Sequence, residues 1–135
     1  MLPSNNSYHI LMIEDDSDLT EMYKTKLETD GFTVAVAKDG KTGLKAMKDT
    51  QPDLVLLDIL LPKKDGFDVL EEKNKWKDEK LKNIPVIVLT NLSSPLDIEA
   101  GEELGVKEWL VKANNMPSEV SQKVEDFFKR NQKPT

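Results

Sequence analysis

Four uninterrupted apolar runs of strand length constrain this chain more than anything else in it: Ile10-Leu-Met-Ile13, Leu54-Val-Leu-Leu57, Val86-Ile-Val-Leu89 and Trp109-Leu-Val111. A strand that is apolar at every position is buried on both faces, the pattern of a parallel sheet covered by helices on either side. A fifth segment, Phe32-Thr-Val-Ala-Val-Ala37, is of mixed character and suits a sheet edge. Helix signals lie between the runs. Ser17 is a candidate cap for a helix carrying Leu19, Met22, Tyr23 and Leu27 at helical spacing, closed by Gly31. Residues 41–49 repeat the pattern weakly through Leu44 and Met47. A helix from Phe67 to about Lys77 carries Phe67, Leu70 and Asn74 on one stripe, and Lys73 to Lys82 reads as a charged, solvated stretch before Pro85. Ser94-Pro95 reads as a cap with Pro at the first helical position, opening a helix to Leu104. Residues 118–130 close the chain with Val120, Val124, Phe127 and Phe128 on an apolar face. Five strand–helix alternations predict a doubly wound α/β sandwich, with residues 1–7 and 131–135 as loose tails.

Composition narrows the chemistry. The chain has 135 residues, enough for one domain. It has no cysteine, so a disulfide scaffold, a thiolate metal site and a cysteine nucleophile are excluded. Its single histidine, His9, reads as a surface residue before the first strand and makes a histidine-based metal centre unworkable. A net charge of −6 argues against gripping a nucleic-acid backbone unaided. No apolar run approaches the roughly 20 residues of a membrane helix, and residues 1–7 lack the character of a secretory signal. The expectation is a small cytoplasmic protein.

The residue that ends each buried run carries the functional signal. The first run leads into Glu14-Asp15-Asp16, the second into Asp58, the third into Thr90 and the last into Lys112. In a parallel sheet these groups meet along one edge, where open α/β sheets bind ligands. Glu14-Asp15-Asp16 alone also suits a solvated loop feeding a helix N-terminus. Its alignment with Asp58 and Lys112 favours a site. Carboxylates at close range recruit a cation, and an oxygen-only cluster suits a hard ion such as Mg²⁺. A carboxylate beside Mg²⁺ can attack phosphorus and form an acyl phosphate. Phosphoryl transfer needs charge neutralisation on both sides and a donor to an equatorial oxygen, functions offered by Asp15, Lys112 and Thr90. Asp58 is then the candidate nucleophile.

With those motifs in order, the sequence resembles a response-regulator receiver domain of two-component signalling over about residues 8–130. The carrying motifs are Ile10 to Asp16; Asp53-Leu-Val-Leu-Leu-Asp58 with Leu61-Pro62 and Asp65-Gly66; Pro85 to Thr90; and Gly105 through Trp109 to Lys112. The resemblance implies a flavodoxin-like five-stranded parallel sheet of strand order 2-1-3-4-5 in a three-layer sandwich. It implies that Asp58 accepts phosphate from a histidine kinase or phosphotransfer protein. Asp15, Asp58 and the Leu60 backbone carbonyl would bind Mg²⁺, with Glu14 assisting through water. Thr90 and Lys112 would hold the phosphoryl group, and Trp109 stands at the aromatic switch position. Leu60, Asn91 and Ala113 are tuning positions around the crevice. Leu61 replaces the usual Met, Asn91 the usual small residue after Thr90, and Ala113 the usual Pro after Lys112. A cis peptide costs about 2.5–4 kcal/mol without proline, so a trans Lys112–Ala113 bond is expected, with Lys112 still aimed at the acids.

The resulting expectation is a stand-alone, phosphorylation-controlled switch, not an enzyme beyond its own phosphorylation and dephosphorylation. Its output would be a downstream protein or a second copy bound on the face of residues 92–130, with no direct nucleic-acid or membrane contact. One rival is a receiver-fold adaptor that works without phosphorylation. Another is a haloacid-dehalogenase-type phosphatase, disfavoured because the position two after Asp58 is Leu60 and not a second Asp. A nucleotide-binding module is weaker still, since no Gly-rich loop follows the first strand.

Overall fold

The protein is described here by a computed structural model covering residues 8–131. Five strands, β1 (His9–Ile13), β2 (Thr33–Ala37), β3 (Leu54–Leu57), β4 (Val86–Thr90) and β5 (Glu108–Val111), pair in the order β2-β1-β3-β4-β5. Every pairing is parallel. The doubly wound sheet of order 2-1-3-4-5 is therefore the observed one, with the mixed segment at an edge. Six helices connect and close it: α1 (Ser17–Thr29), α2 (Gly40–Thr50), α3 (Gly66–Asn74), α4 (Glu79–Lys82), α5 (Pro95–Glu103) and α6 (Pro117–Arg130).

Strand alternation divides the apolar runs between two cores. Ile10 and Met12 of β1 face one side, with Leu54, Leu56, Ile87 and Leu89, and are covered by Tyr23 and Leu27 of α1 and Val120, Val124, Phe127 and Phe128 of α6. Leu11 and Ile13 face the other side, with Val55, Leu57 and Val86, beneath Leu44 and Met47 of α2 and Val69 and Leu70 of α3. Each fully buried Leu, Ile or Phe contributes roughly 1.5–3 kcal/mol, so these two layers carry the fold.

Several local expectations shift. Asp16, not Ser17, caps α1, its carboxylate accepting from the N–H groups of Asp18 and Leu19. Met22 is 52% exposed; Thr20 is buried instead, with Tyr23 and Leu27. Helix α3 ends at Asn74, and its buried stripe is Val69, Leu70 and Lys73, with Phe67 only half-buried. Ser94 caps α5 with Pro95 in its first turn, as expected. His9 begins β1, and its N–H donates to Asp53. Of the expected tails, residues 1–7 and 132–135 lie outside the described residues. Asn131 is not loose: its side-chain amide donates to the Phe127 carbonyl at 2.7 Å.

Lys73 is the largest departure. The stretch from Lys73 to Lys82 is not wholly solvated, because Lys73 is only 5% exposed and Trp76 and Leu81 pack against the second core. Lys73 sits on the apolar stripe, three and four residues after Leu70 and Val69. Its ammonium donates to the Lys82 carbonyl at the end of α4 at 2.6 Å. Burial, with some repulsion from Lys107, lowers its pKa from 10.5 to about 8. The unfolded chain keeps this proton up to its ordinary pKa, so the stability contributed here rises as pH passes from about 8 to about 10.5. Relative to Lys73→Met, the wild type is expected to gain about 1–3 kcal/mol between about pH 7.5 and about pH 10.5. Urea unfolding at the two pH values measures this, and a constant difference contradicts it.

Gly66 fixes the loop that follows β3. Its N–H donates to the Ile59 carbonyl at 2.8 Å. A Cβ at this position would lie 2.6 Å from the Asp58 carbonyl oxygen and 2.7 Å from the Ile59 Cα. The Ile59 Cδ1 would also lie at 2.7 Å, but the first two of these three nearest atoms belong to the backbone and cannot swing aside. Gly66→Ala is expected to lower unfolding stability by about 1–3 kcal/mol. A urea midpoint equal to wild type would show that the loop relaxes freely.

Candidate functional site

Parallel register brings the strand ends together. The N–H of Glu14 donates to the Ala37 carbonyl and the N–H of Asp58 to the Ile13 carbonyl, each at 3.0 Å. The ladder therefore runs one residue past β1 and β3 and sets Glu14 beside Asp58. Glu14 and Asp58 are 4% and 5% exposed, whereas Asp15 is exposed at the mouth. Asp16 turns away to cap α1. One carboxylate oxygen from each of Glu14, Asp15 and Asp58 lies within 4.8 Å of the others.

Lys112 closes this acidic crevice. It follows β5, and its ammonium donates to Asp58 Oδ2 at 2.8 Å and also pairs with Glu14. Burial alone would favour the neutral amine. The hydrogen bonds and negative charge of Asp58 and Glu14 outweigh it and raise the Lys112 pKa. Burial is also the main reason the Glu14 carboxyl is pushed up, with the Asp58 charge adding to it. Lys112 and the Asp16 N–H, which donates to Glu14 at 3.0 Å, oppose that shift. The other Asp58 oxygen accepts from the Leu60 N–H at 3.2 Å. This bond folds the loop back over Asp58, while the Leu60 side chain stays 59% exposed.

The remaining candidates surround that centre. Thr90 ends β4 and is fully buried; its hydroxyl accepts from the Leu92 N–H at 3.4 Å. Trp109 is half-buried on β5. Its indole N–H donates to the Leu92 carbonyl at 2.9 Å, and its ring lies against Gly101 of α5, where a Cβ would approach to 2.7 Å. The segment after Thr90 is thus tied to both Thr90 and Trp109. Lys112 begins a short 3-10 turn, Lys112–Asn114, and no peptide among the described residues is cis. The Lys112–Ala113 bond is trans, as expected for a non-proline bond, and Lys112 points into the acids as expected. One contact was not anticipated: Asn91 Oδ1 accepts from the Ala113 N–H at 3.0 Å. Two of the three departures from the usual pattern, Asn91 and Ala113, are the residues that meet here.

The donor set consists of carboxylate oxygens, with no histidine in the group among the described residues. Three carboxylates share the crevice with one ammonium, which leaves a net negative hole. Such a set suits a hard divalent cation that keeps some of its water. The residues present therefore fit Mg²⁺.

The comparisons agree with this geometry. The response regulator receiver domain family matches residues 10–125. The transcriptional regulatory protein CpxR of Escherichia coli strain K12 is 42% identical over 106 residues, 78% of this chain and 43% of CpxR. The probable transcriptional regulator ycf27 of Cyanophora paradoxa is 33% identical over 130 residues, 96% of this chain and 52% of ycf27. The chain thus spans about half the length of the curated relatives it matches. The crystal structure of the Mn²⁺-bound form of response regulator Rcp1 superposes with a TM-score of 0.78 at 31% identity, covering 95% of this chain and 99% of Rcp1. The match runs from the first core strand into the last helix and takes in every strand end that builds the crevice. On that ground the chain belongs to the response regulator receiver domain family.

Proposed function

We propose that residues 8–130 form a receiver that accepts a phosphoryl group on Asp58 from a phosphohistidine of a histidine kinase or phosphotransfer protein. The observation that carries this is the pairing of the buried Asp58 carboxylate with Lys112 at 2.8 Å, beside Glu14 and Asp15. An Asp58 oxygen attacks phosphorus, the phosphorus–nitrogen bond breaks, and the imidazole leaves as an acyl phosphate forms. Mg²⁺, when held by Asp15, Asp58 and the Leu60 carbonyl with Glu14 through water, supplies positive charge opposite the phosphoryl oxygens. Lys112 neutralises the other side, and the Thr90 hydroxyl turns from Leu92 to donate to a phosphoryl oxygen. Asn91, Leu60 and Ala113 border the approach and tune it. The protein turns over no external substrate in this reading.

Asp58→Asn is nearly isosteric and is expected to fold while losing labelling by acetyl phosphate with Mg²⁺. Intact-mass spectrometry reads the added phosphoryl group. Undiminished labelling mapped to another residue would refute the assignment of Asp58.

The output follows from the bonds that Thr90 and Trp109 make to Leu92. When Thr90 is drawn to a phosphoryl oxygen, its contact with the Leu92 N–H is given up. The change passes to the indole that holds the Leu92 carbonyl, as a local charge event biasing a two-state element. The face of residues 92–130, including α5, β5 and α6, then binds a downstream protein or a second copy. No helix among the described residues is long and apolar enough to cross a membrane. Trp76 packs on the second core with the Lys48 ammonium over its ring, and its replacement leaves Trp109 as the one tryptophan of the chain. In a Trp76→Phe variant, beryllofluoride with Mg²⁺ is therefore expected to change the emission of Trp109. Unchanged emission, with beryllofluoride binding verified by ¹⁹F NMR, argues for the phosphorylation-independent adaptor.

The half-length coverage of the transcriptional regulators favours a second reading of the output. There the same receiver is the input half of a longer regulator, instead of acting as a stand-alone protein. The mass of the native protein, read by immunoblot of source cells, separates the two.

A further inference from the structure

We propose that Asn91 is a positioning residue for phosphoryl transfer, acting through Lys112 by holding the backbone step that follows it. The inference rests on Asp58 being the phosphoryl acceptor. Strands β4 and β5 run in parallel with Thr90 opposite Val111, so the next residues, Asn91 and Lys112, leave the sheet side by side. The Ala113 N–H lies in the first turn of the 3-10 segment Lys112–Asn114, where a helical turn offers its own N–H groups no internal acceptor. Asn91 Oδ1 supplies that acceptor at 3.0 Å. Other bonds hold the same segment from behind. The Asn115 N–H donates to the Lys112 carbonyl at 3.2 Å, its side-chain amide donates to the Val111 carbonyl at 2.9 Å, and the Tyr23 hydroxyl donates to the Asn115 carbonyl at 3.4 Å. Asn91 alone, among the described contacts, ties this segment forward to β4.

This tether matters because of the length of the lysine. Lys112 reaches Glu14 and Asp58 through four flexible methylenes, and about 2 kcal/mol of rotamer entropy opposes holding it there. A small displacement of its backbone moves the ammonium from Asp58. A ring at position 113 would restrict the step covalently and offer no N–H. Alanine does neither, and Asn91 replaces the covalent restraint by a hydrogen bond. The bond also links Lys112 to the residue next to Thr90, so the two phosphoryl-binding groups are located relative to each other.

The test compares wild type with Asn91→Ala, a change at an exposed position that keeps the fold. Labelling of Asp58 by acetyl phosphate with Mg²⁺ is expected to slow about three- to tenfold, the range of one hydrogen bond's net contribution, with the same final stoichiometry. The Lys112 ammonium provides the second readout, by ¹H–¹⁵N NMR of metal-free protein. Its hydrogen-bonded signal is expected to exchange faster in the variant, while the far-UV circular dichroism spectrum stays that of wild type. An unchanged rate, or a slower rate with an unchanged Lys112 signal, overturns the positioning role and leaves Asp58 as acceptor. If wild type itself takes no label on Asp58, the acceptor reading fails and this inference fails with it.

Discussion

The interaction on which the rest of this structure depends is the burial of Lys112 between Glu14 and Asp58. Glu14 and Asp58, at 4% and 5% exposure, lie side by side, and burial together with the Asp58 charge pushes the Glu14 carboxyl up. The ammonium stabilises both at once. Removing one partner of such a group strands the other charges in a poor solvent, at a cost of about 3–5 kcal/mol. Lys112 holds the acids together in the metal-free protein, and a hard cation or a phosphoryl group changes what the same ammonium must balance.

Parallel pairing makes that arrangement available. Each strand delivers its C-terminal residue to the same edge, and the extension of the ladder through Glu14 N–H and Asp58 N–H fixes which residues become neighbours. Gly66 then presses the following loop onto Asp58 at a distance no side chain could share. The apolar runs are thus more than a source of core. Their uninterrupted character calls for burial on both faces, and the parallel register brings the polar ends together.

This explains why the fold and the centre of the site were legible in the sequence. Runs such as Leu54 to Leu57 admit few alternatives to a covered parallel strand, and a polar residue directly after each run can only emerge at the edge. What escaped depends on smaller energy differences. Asp16 outcompetes Ser17 as the cap because its carboxylate reaches two N–H groups, a choice worth about 1 kcal/mol. Met22 falls on the helical repeat yet faces solvent, since the stripe of α1 is centred on Thr20, Tyr23 and Leu27. Lys73 was hidden by its charge: its spacing from Val69 and Leu70 put it on the buried stripe, and the free carbonyl of Lys82 allows it to stay there. That carbonyl comes from α4, a helix of one turn that no periodicity announces.

The Asn91–Ala113 bond belongs to a different category, because neither residue carries a signal alone. An asparagine after a strand is an ordinary turn former, and an alanine after Lys112, though it stands where Pro is usual, does not say what its N–H will meet. Only the fold brings them within 3.0 Å of each other. Taken as a pair, the two departures compensate. Losing a ring at position 113 exposes an N–H and frees a dihedral angle; gaining a carboxamide at position 91 accepts that N–H and restrains the same step. The substitution trades a restraint built into the chain for one that can open and close. Through it the backbone step after Lys112 is tied to the residue that follows Thr90.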